Sequence, residues 1–369
     1  MPITLDGSNG ITTPMYNGSI TANAVTPSVN MKNRIINGAM VIDQRNAGAS
    51  VTASTTTAYT LDRWGIQSSQ NSKFTVQQNA GSVTPPAGFT NYAGITSSSA
   101  YSVGTSDYFQ LFQVIEGFNC ADLAWGTANA KTVTLSFQVR SSLTGTFGGA
   151  LFGGSTFSYP FTYSIPSANT WTTISVTIAG LTSGTWNSTN GSGITVFFDL
   201  GSGSTYQGTA GAWASGVKFS ATGATQVVAT NGATFYITGV QLEVGSTATS
   251  FDYRPYTTEL SLCYRYCYAL YKGDNIYYAT AGYYTSTDVR TQIQMPVNMR
   301  TTPTISYTGY SQLWRNGTSD ANNVNGWSVT LSCPNTVHLT STNSMSGTAG
   351  QIGWLYSGGT SQLIFLAEL

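Results

Sequence analysis

The chain has 369 residues, which is enough for two ordinary domains or one large one, each with a substantial core. Only 8% of the residues are charged, against roughly 25% in typical soluble domains, and the 40 glycines and 22 tyrosines instead indicate strands joined by many turns. Because 14 Lys and Arg balance 14 Asp and Glu without a basic run, the composition argues against a nucleic-acid-binding surface.

Residues 1–32 are expected to form an extended arm. The turn signals Asp6-Gly7, Asn9-Gly10 and Asn17-Gly18 follow one another in a stretch with little apolar content. Such a segment buries too little apolar surface to offset the entropy lost when it becomes ordered. We therefore expect the arm to dock on a partner protein.

The segment 33–255 carries the spacing of half-buried strands. Val133, Leu135 and Phe137 alternate with polar residues, which places one face of a strand in a core and the other in water. The same period of two recurs in residues 174–178, 194–200 and 240–244. Many short strands with Gly, Ser and Asn turns between them predict an antiparallel jelly-roll β-sandwich.

The pattern changes in residues 256–275. Leu260, Cys263 and Cys267 fall at three- and four-residue spacing, which favours a short helical or bent connector between two domains. Residues 276–369 return to strand chemistry and predict a smaller C-terminal β-sandwich. The predicted fold class is therefore all-β, with the arm first, the jelly roll next and the distal β domain last.

Targeting signals are not apparent. Residues 1–30 contain no basic segment followed by an apolar stretch and a cleavage site, so no signal peptide is expected. Polar residues interrupt every apolar run well before the ~20 residues that cross a bilayer, so no membrane insertion is expected. The four cysteines are too few for a disulfide framework and fit a chain assembled in a reducing cytoplasm.

Catalytic and metal-binding chemistry finds little support in the sequence. The single histidine, His338, lies in a strand-like segment without a nucleophile motif. Cleavage of a glycan needs two facing carboxylates. The acids near aromatic residues belong to no recognisable glycosidase motif, and the sequence shows no repeats of the kind that form a β-helix tailspike. These acids are Asp62, Glu116, Asp122, Asp199 and Asp252. The cysteines match no zinc-site spacing, and we expect no catalysis, no metal and no cofactor.

Aromatic side chains are the feature of the sequence that best indicates a function. Sugars stack their apolar C–H faces on Trp and Tyr, while Asn, Asp and Gln bind their hydroxyl groups. Trp64, Trp125 and Trp171 lie next to alternating strands and are expected to fill cores, whereas aromatic residues in loops are better ligand candidates. The candidate glycan-binding residues are Trp186 and Trp213 in the first β domain and Tyr310, Trp314, Trp327 and Trp354 in the last.

Several segments resemble a tail-fibre family of bacteriophages and prophages. The first two are Lys32–Met40 and Asp43–Arg45, and the next is Asp62–Arg63–Trp64. Later similar segments are 125–127, 131–137, 238–245 and 251–256, and 296–304 with 367–369 look like distal domains of phage fibres. The order of strands also resembles galactose-binding-like jelly rolls of carbohydrate-binding modules.

The resemblance implies a homotrimeric appendage of a virion. Its N-terminal arm would dock on other virion proteins of the tail, neck or an adaptor, and its β domains would face a host-surface polysaccharide. The chain would be assembled in the cytoplasm of the host bacterium. No residue-level ligand motif is carried over from the family.

Three functions remain open at this point. The first is a receptor-binding fibre subunit in which several weak glycan sites act together through avidity. The second is a neck- or capsid-attached fibre or decoration protein with a purely structural role. The third is a glycan-depolymerising tailspike, which would need a pair of facing carboxylates in a groove.

Overall fold

The structure is a computed structural model that describes residues 4–6, 10–12, 31–154, 156–315, 321–342 and 346–369. The chain divides into two compact units, Met1–Lys32 and Asn33–Leu369. In the first unit, strands β1 (Thr4–Asp6) and β2 (Gly10–Thr12) pair in antiparallel fashion. Most of the predicted arm lies outside the described residues, so docking by the arm stays a prediction.

The first part of the second unit is a sandwich of two antiparallel sheets. Its strands are β3 (Val51–Thr52), β4 (Ala58–Tyr59), β5 (Gly65–Ser68), β6 (Phe74–Gln78), β7 (Ala93–Ser97), β8 (Tyr108–Glu116), β9 (Val133–Ser141), β10 (Gly145–Gly153), β11 (Phe157–Ile165), β12 (Thr172–Ile178), β13 (Ser192–Ser202), β14 (Gln207–Gly208), β15 (Ala214–Ser215), β16 (Ser220–Ala221) and β17 (Thr234–Val244). Short 3₁₀ turns lie at Ala80–Ser82, Gly117–Asn119, Ala121–Leu123, Ser204–Tyr206 and Val227–Ala229.

The two sheets have the interleaved strand order of a jelly roll. One has seven strands in the order β15-β11-β10-β13-β8-β5-β4, and the other has six in the order β12-β9-β17-β7-β6-β3, while β14 and β16 form a separate short parallel pair. The alternation predicted for β9 is present, because Leu135, Phe137 and Val139 are buried in the core between the sheets while Ser136 and Gln138 are partly exposed. The predicted all-β jelly-roll sandwich is confirmed.

The second part begins with the helix α1 (Tyr256–Tyr264) and continues in strands only. The strands are β18 (Cys267–Lys272), β19 (Tyr277–Tyr283), β20 (Val289–Gln294), β21 (Thr304–Arg315), β22 (Ala321–Val324), β23 (Ser328–Cys333), β24 (Thr336–Ser341) and β25 (Ile352–Leu366). Among the described residues, no helix is long and apolar enough to span a membrane.

The long strand β25 organises the C-terminal domain. All eight strands form one antiparallel sheet in the order β22-β21-β25-β19-β20-β24-β23, and β18 also pairs with β25. One edge of β25 pairs with β21, and the other edge pairs first with β19 and then with β18, which lie in line. Val324 near one end of the sheet and Val337 near the other belong to the same buried cluster. The sheet therefore bends around its own core and supplies both layers of this smaller β domain.

A buried polar network, here called the interdomain joint, connects the jelly roll to the C-terminal domain. Its members are Gln44, Arg45, Arg63 and Glu116 on one side and Arg265, Tyr266, Cys267 and Glu368 on the other. Arg45 and Arg63 both pair with the Glu368 carboxylate, the former at 2.7 Å. The Arg63 guanidinium also lies over the Tyr266 ring, 3.6 Å from its centre.

A second charge pair completes the joint. Glu116 accepts hydrogen bonds from the Arg265 Nε at 2.8 Å and from the Tyr266 hydroxyl at 2.5 Å. Gln44 Nε2 donates to the Cys267 carbonyl at 2.9 Å. The joint thus gives Arg45 and Arg63 a structural role, because a buried charge needs a matching partner at a fixed place.

Asp199 makes the stability of the jelly roll depend on pH. Its buried carboxylate accepts hydrogen bonds from the Ser202 hydroxyl at 2.6 Å and from the Gly201 amide at 3.0 Å, and burial raises its pKa to about 6. An aspartate in the unfolded chain has a pKa near about 4, so the unfolded state loses its proton first. The free energy of unfolding that Asp199 contributes therefore falls as the pH rises from about 4 to about 6.

We expect the variant Asp199→Asn to gain stability relative to the unmodified chain, by about 2 kcal/mol, between pH 4 and pH 7. Asparagine keeps the shape and has no charge to bury. Urea unfolding of both proteins at four pH values within this range measures the difference, in which the other titrating groups cancel. A difference that does not change with pH would contradict the role of Asp199.

Candidate functional site

The outer face of the C-terminal sheet carries exposed aromatic residues. In β25 the residues alternate, so that Trp354 is 53% exposed while its neighbours Gly353 and Leu355 are buried. In β21 Trp314 is 40% exposed, and Leu313 beside it lies in the core. The period of two in both strands thus directs these indole rings away from the core, onto the same face of the sheet.

Register aligns five side-chain positions across this face, and we call them the cross-strand row. Trp314 lies directly opposite Trp354, and Trp354 lies opposite Thr280 on its other side. Gly282 pairs with Arg290, and the same antiparallel register places Thr280 opposite Gln292. Gln292 in turn lies opposite His338. The row crosses β21, β25, β19, β20 and β24, and four strand spacings of ~4.8 Å give it a length of ~19 Å.

More aromatic residues flank the row. The Tyr277 and Tyr356 rings lie 5.4 Å apart, and Tyr356 lies 6.3 Å from Trp314. Tyr310, in the same strand as Trp314 and four residues before it, is also exposed. One end of the row is therefore an extended aromatic surface.

The other end of the row is polar. An open hollow of about 370 Å³ is lined by Thr280, Ala281, Gly282, Arg290, Thr291, Gln292, His338 and Ile352. Arg290 pairs with Asp288 at 2.7 Å, and its guanidinium lies 3.6 Å from the centre of the Tyr284 ring. Amide, hydroxyl and imidazole groups thus face solvent next to the two indole rings.

This combination of groups is chemically suited to a polyhydroxylated ligand. Indole faces accept the apolar side of a sugar ring, and amides and hydroxyls donate to and accept from its hydroxyl groups. The directly opposed Trp314 and Trp354 lie about one strand spacing, ~4.8 Å, apart at their backbones.

The other predicted ligand residues lie in different surroundings. Trp327 is 7% exposed and belongs to the C-terminal core, so its ring does not reach the aromatic face. Trp186 and Trp213 form an edge-to-face cluster with Trp125, with ring centres 4.9 to 5.7 Å apart. Trp64 and Trp125 are buried, which confirms that they fill the core, whereas Trp171 is only partly buried and packs against Tyr92.

Each indole of this tryptophan cluster already has a hydrogen-bond partner within the protein. The Nε1 groups of Trp125, Trp186 and Trp213 donate to backbone carbonyls at 2.7, 3.1 and 2.7 Å, respectively. Gly154 lies so close to Trp186 that an added Cβ would be 2.7 Å from the ring. The glycines of this loop region therefore make room for an indole ring, and the geometry favours packing.

We expect Trp186→Ala to lower the free energy of unfolding by about 2 kcal/mol and to leave glycan binding unchanged. Replacing a fully buried Trp with Ala lowers the free energy of unfolding by about 3–5 kcal/mol. The loss expected here is smaller because the Trp186 ring is only partly buried. Urea unfolding and a binding assay on the same preparation measure both quantities. Phe118→Ala, at a residue 59% exposed on the same domain, is the matched control. Unchanged stability with lost binding would show that Trp186 contacts the ligand.

The acidic residues considered for glycan cleavage have structural partners. Glu116 lies in the interdomain joint, and Asp62 accepts a hydrogen bond from the Gln44 amide nitrogen. Asp122 pairs with Arg34 at 2.6 Å, and Asp252 lies 3.4 Å from the Arg254 Nε. Burial raises the pKa of Asp62 to about 6, as it does for Asp199.

The cysteines and the histidine have different surroundings. Cys263 and Cys267 are buried, and burial raises the pKa of both thiols well above the ordinary value. Cys333 is exposed, and His338 approaches the Thr330 hydroxyl at 3.4 Å. Within the described ranges, no group of three or more His, Cys, Asp or Glu side chains could hold a metal ion.

The chain matches no family model, and no curated protein matches its sequence. Similar solved structures include the enzymatically active domain of tailspike protein 4 of bacteriophage CBA120, with 10% identity and a TM-score of 0.33 over 58% of this chain. The chain spans 22% of the length of that tailspike domain.

Two further similar structures are smaller proteins. One is a putative sugar-binding protein from Bacteroides thetaiotaomicron, with 14% identity and a TM-score of 0.36 over 58% of this chain and 100% of the other. The other is a family 11 carbohydrate-binding module from Clostridium thermocellum, with 12% identity and a TM-score of 0.27 over 54% of this chain and 98% of the other.

Proposed function

We propose that this chain is a structural, receptor-binding subunit of a bacteriophage tail fibre that binds a host-surface glycan and catalyses nothing. The observation that carries the glycan proposal is the cross-strand row. In it two exposed tryptophans lie opposite each other on neighbouring strands, and residues with hydroxyl and amide groups follow on the next strands. The ligand stacks on Trp314 and Trp354, and Thr280, Gln292 and His338 bind its hydroxyl groups.

Exposure of the indole rings supports a binding role. Large apolar side chains that are grouped on a surface mark interaction sites, whereas isolated ones are ordinary. Trp314, Trp354 and Ile352 are all exposed on the same sheet, and Tyr277 is exposed beside them. With only 8% charged residues in the chain, recognition depends on stacking and short hydrogen bonds more than on long-range attraction.

Binding without cleavage is supported by the acidic side chains, whose carboxylates are held in ion pairs and hydrogen bonds within the protein. A glycosidase uses one carboxyl group as a proton donor and a second as a base or nucleophile. Glu116 is held by Arg265 and Tyr266, and Asp122 is held by Arg34. Carboxylates fixed in this way serve the fold, and the cross-strand row itself contains no acid.

The virion role rests on the sequence segments that resemble phage fibres. In this proposal three copies assemble into a fibre, the arm docks on another virion protein, and assembly takes place in the host cytoplasm. Three weak sites on one fibre then bind together, because the second and third contacts form at a high effective concentration.

Glycan arrays probed with the purified full chain test the binding proposal, and adsorption assays test the virion role. We expect selective binding to bacterial surface polysaccharide and block of phage adsorption by added protein. Binding without block of adsorption, together with copies located on the capsid, would instead establish a decoration protein. New reducing ends released from the polysaccharide would establish a depolymerase, and a null array would refute glycan recognition.

A further inference from the structure

A second concave site lies where the jelly roll meets the start of α1 and shares no residue with the cross-strand row. It is a groove of about 160 Å³ in which four pieces of the chain meet. Its lining comes from segment 33–41, the loop 88–90, segment 251–254 and the start of α1. We call it the aromatic groove.

Aromatic rings form one wall of the groove. The ring centres of Phe89, Phe251 and Tyr253 are 5.0 to 5.6 Å apart. Tyr253 is nevertheless 58% exposed, and Tyr256 at the start of α1 is exposed as well. Part of the aromatic surface of this wall is thus available to a ligand.

The wall is fixed in place by two glycines with positive φ. Gly239 has φ +62°, and a Cβ there would lie 2.6 Å from the Phe89 ring. Gly88 has φ +89°, and a Cβ there would lie 2.4 Å from the Tyr253 hydroxyl. Glycine at these two positions leaves room for the rings to lie against the backbone.

The charges in the groove do not balance. Arg254 is largely buried, and its Nη1 pairs with Glu259 at 3.2 Å. Its other contacts include the Asn33 carbonyl and the partly exposed carboxylate of Asp252, which lies 3.4 Å from Nε. Among the residues that line the groove, two carboxylates thus share one guanidinium, which is an excess of one negative charge.

We propose that the aromatic groove binds a small ligand that carries an ammonium group. Aromatic faces attract cations through the ring quadrupole, most strongly when the cation is partly desolvated. The Asp252 carboxylate adds a charge-assisted contact, while the excess negative charge repels phosphate and uronate groups. An amino sugar and a choline-type headgroup share this chemistry. The site does not depend on glycan binding at the cross-strand row.

Ligand-detected NMR with the full-length chain tests this proposal and separates the two sources. The probes are glucosamine and choline, with glucose and glucuronate as the neutral and anionic controls. We expect at least one of the two cations to bind at least tenfold more tightly than glucose, and glucuronate not to bind. Binding of glucosamine alone identifies an amino sugar as the ligand, and binding of choline alone identifies the headgroup.

Variants assign the binding to the groove. Tyr253→Leu keeps an apolar side chain but removes the aromatic face, and Asp252→Asn removes the exposed charge. Each is expected to weaken cation binding at least tenfold, whereas Phe118→Ala leaves it unchanged. The proposal is overturned if neither cation binds at millimolar concentration, if both groove variants retain binding, or if glucuronate binds as well as the cations do.

Discussion

Replacing Glu368 with glutamine is expected to lower the free energy of unfolding by about 3–5 kcal/mol, since removing one partner of a buried ion pair leaves the other charge uncompensated. Glu368 is the carboxylate that both Arg45 and Arg63 contact in the interdomain joint. Arg63 is 1% exposed, so water does not replace the lost partner. Urea unfolding followed by fluorescence measures the change.

The control for this experiment is Asp288→Asn, which removes a carboxylate from a pair with Arg290 that is partly exposed. Exposed pairs contribute about 0–1 kcal/mol, so this variant should unfold near the midpoint of the unmodified chain. Equal loss in both variants would show that the joint contributes no more than a surface ion pair. A large loss in Glu368→Gln alone supports the view that the joint holds the two domains together.

The double variant Trp314→Ala and Trp354→Ala is expected to abolish measurable glycan binding, and each single variant should weaken it by about 2 kcal/mol, or roughly thirtyfold. Removing an indole ring eliminates the stacking surface and leaves the neighbouring polar groups in place. Because the two residues are directly opposite in the sheet, their effects on one sugar chain need not be additive. Titration calorimetry with the polysaccharide selected on the array measures the loss.

Two matched variants test whether a loss of binding comes from the missing indole ring or from a disturbed fold. Trp354→Phe keeps an aromatic face and should recover most of the affinity, while Phe118→Ala removes a similarly exposed ring from the jelly roll and should have no effect. Unfolding curves of all variants establish that the sheet is intact. Full binding by the double variant would place the glycan site elsewhere on the chain.

The sandwich was predictable because it depends on local alternation. In β9 every second residue from Val133 onward is buried, as the spacing of apolar residues indicates. The joint was not predictable, because its partners lie far apart in the chain. Arg63 and Glu368 are separated by 305 positions, and no local pattern tells which arginine meets which carboxylate.

The candidate site shows the same division between local and distant information. Tyr310, Trp314 and Trp354 were proposed from their residue type, and the structure brings them to one sheet. Thr280 and Gln292 were missed, because their place in the row depends on strand register, which aromatic content does not reveal. The available signal was the alternation of β20, in which Val289, Thr291 and Ile293 are buried and Gln292 is exposed.

The tryptophans of the jelly roll illustrate why loop position alone is a weak guide to exposure. Trp186 and Trp213 lie in glycine-rich stretches, which are typical of exposed loops. Gly126, Gly153 and Gly154 instead leave space into which the Trp186 ring packs. The aromatic groove was missed for a related reason: Phe89 and Tyr253 are brought together only by contacts between separate loops.

The arrangement around β25 has a mechanical consequence. This 15-residue strand is bonded along one edge to β21 and along the other to the collinear β19 and β18. A pulling force along its axis loads both ladders in shear, so many hydrogen bonds must rupture together instead of opening one after another. The sheet that carries the aromatic face is therefore arranged to resist tension along β25.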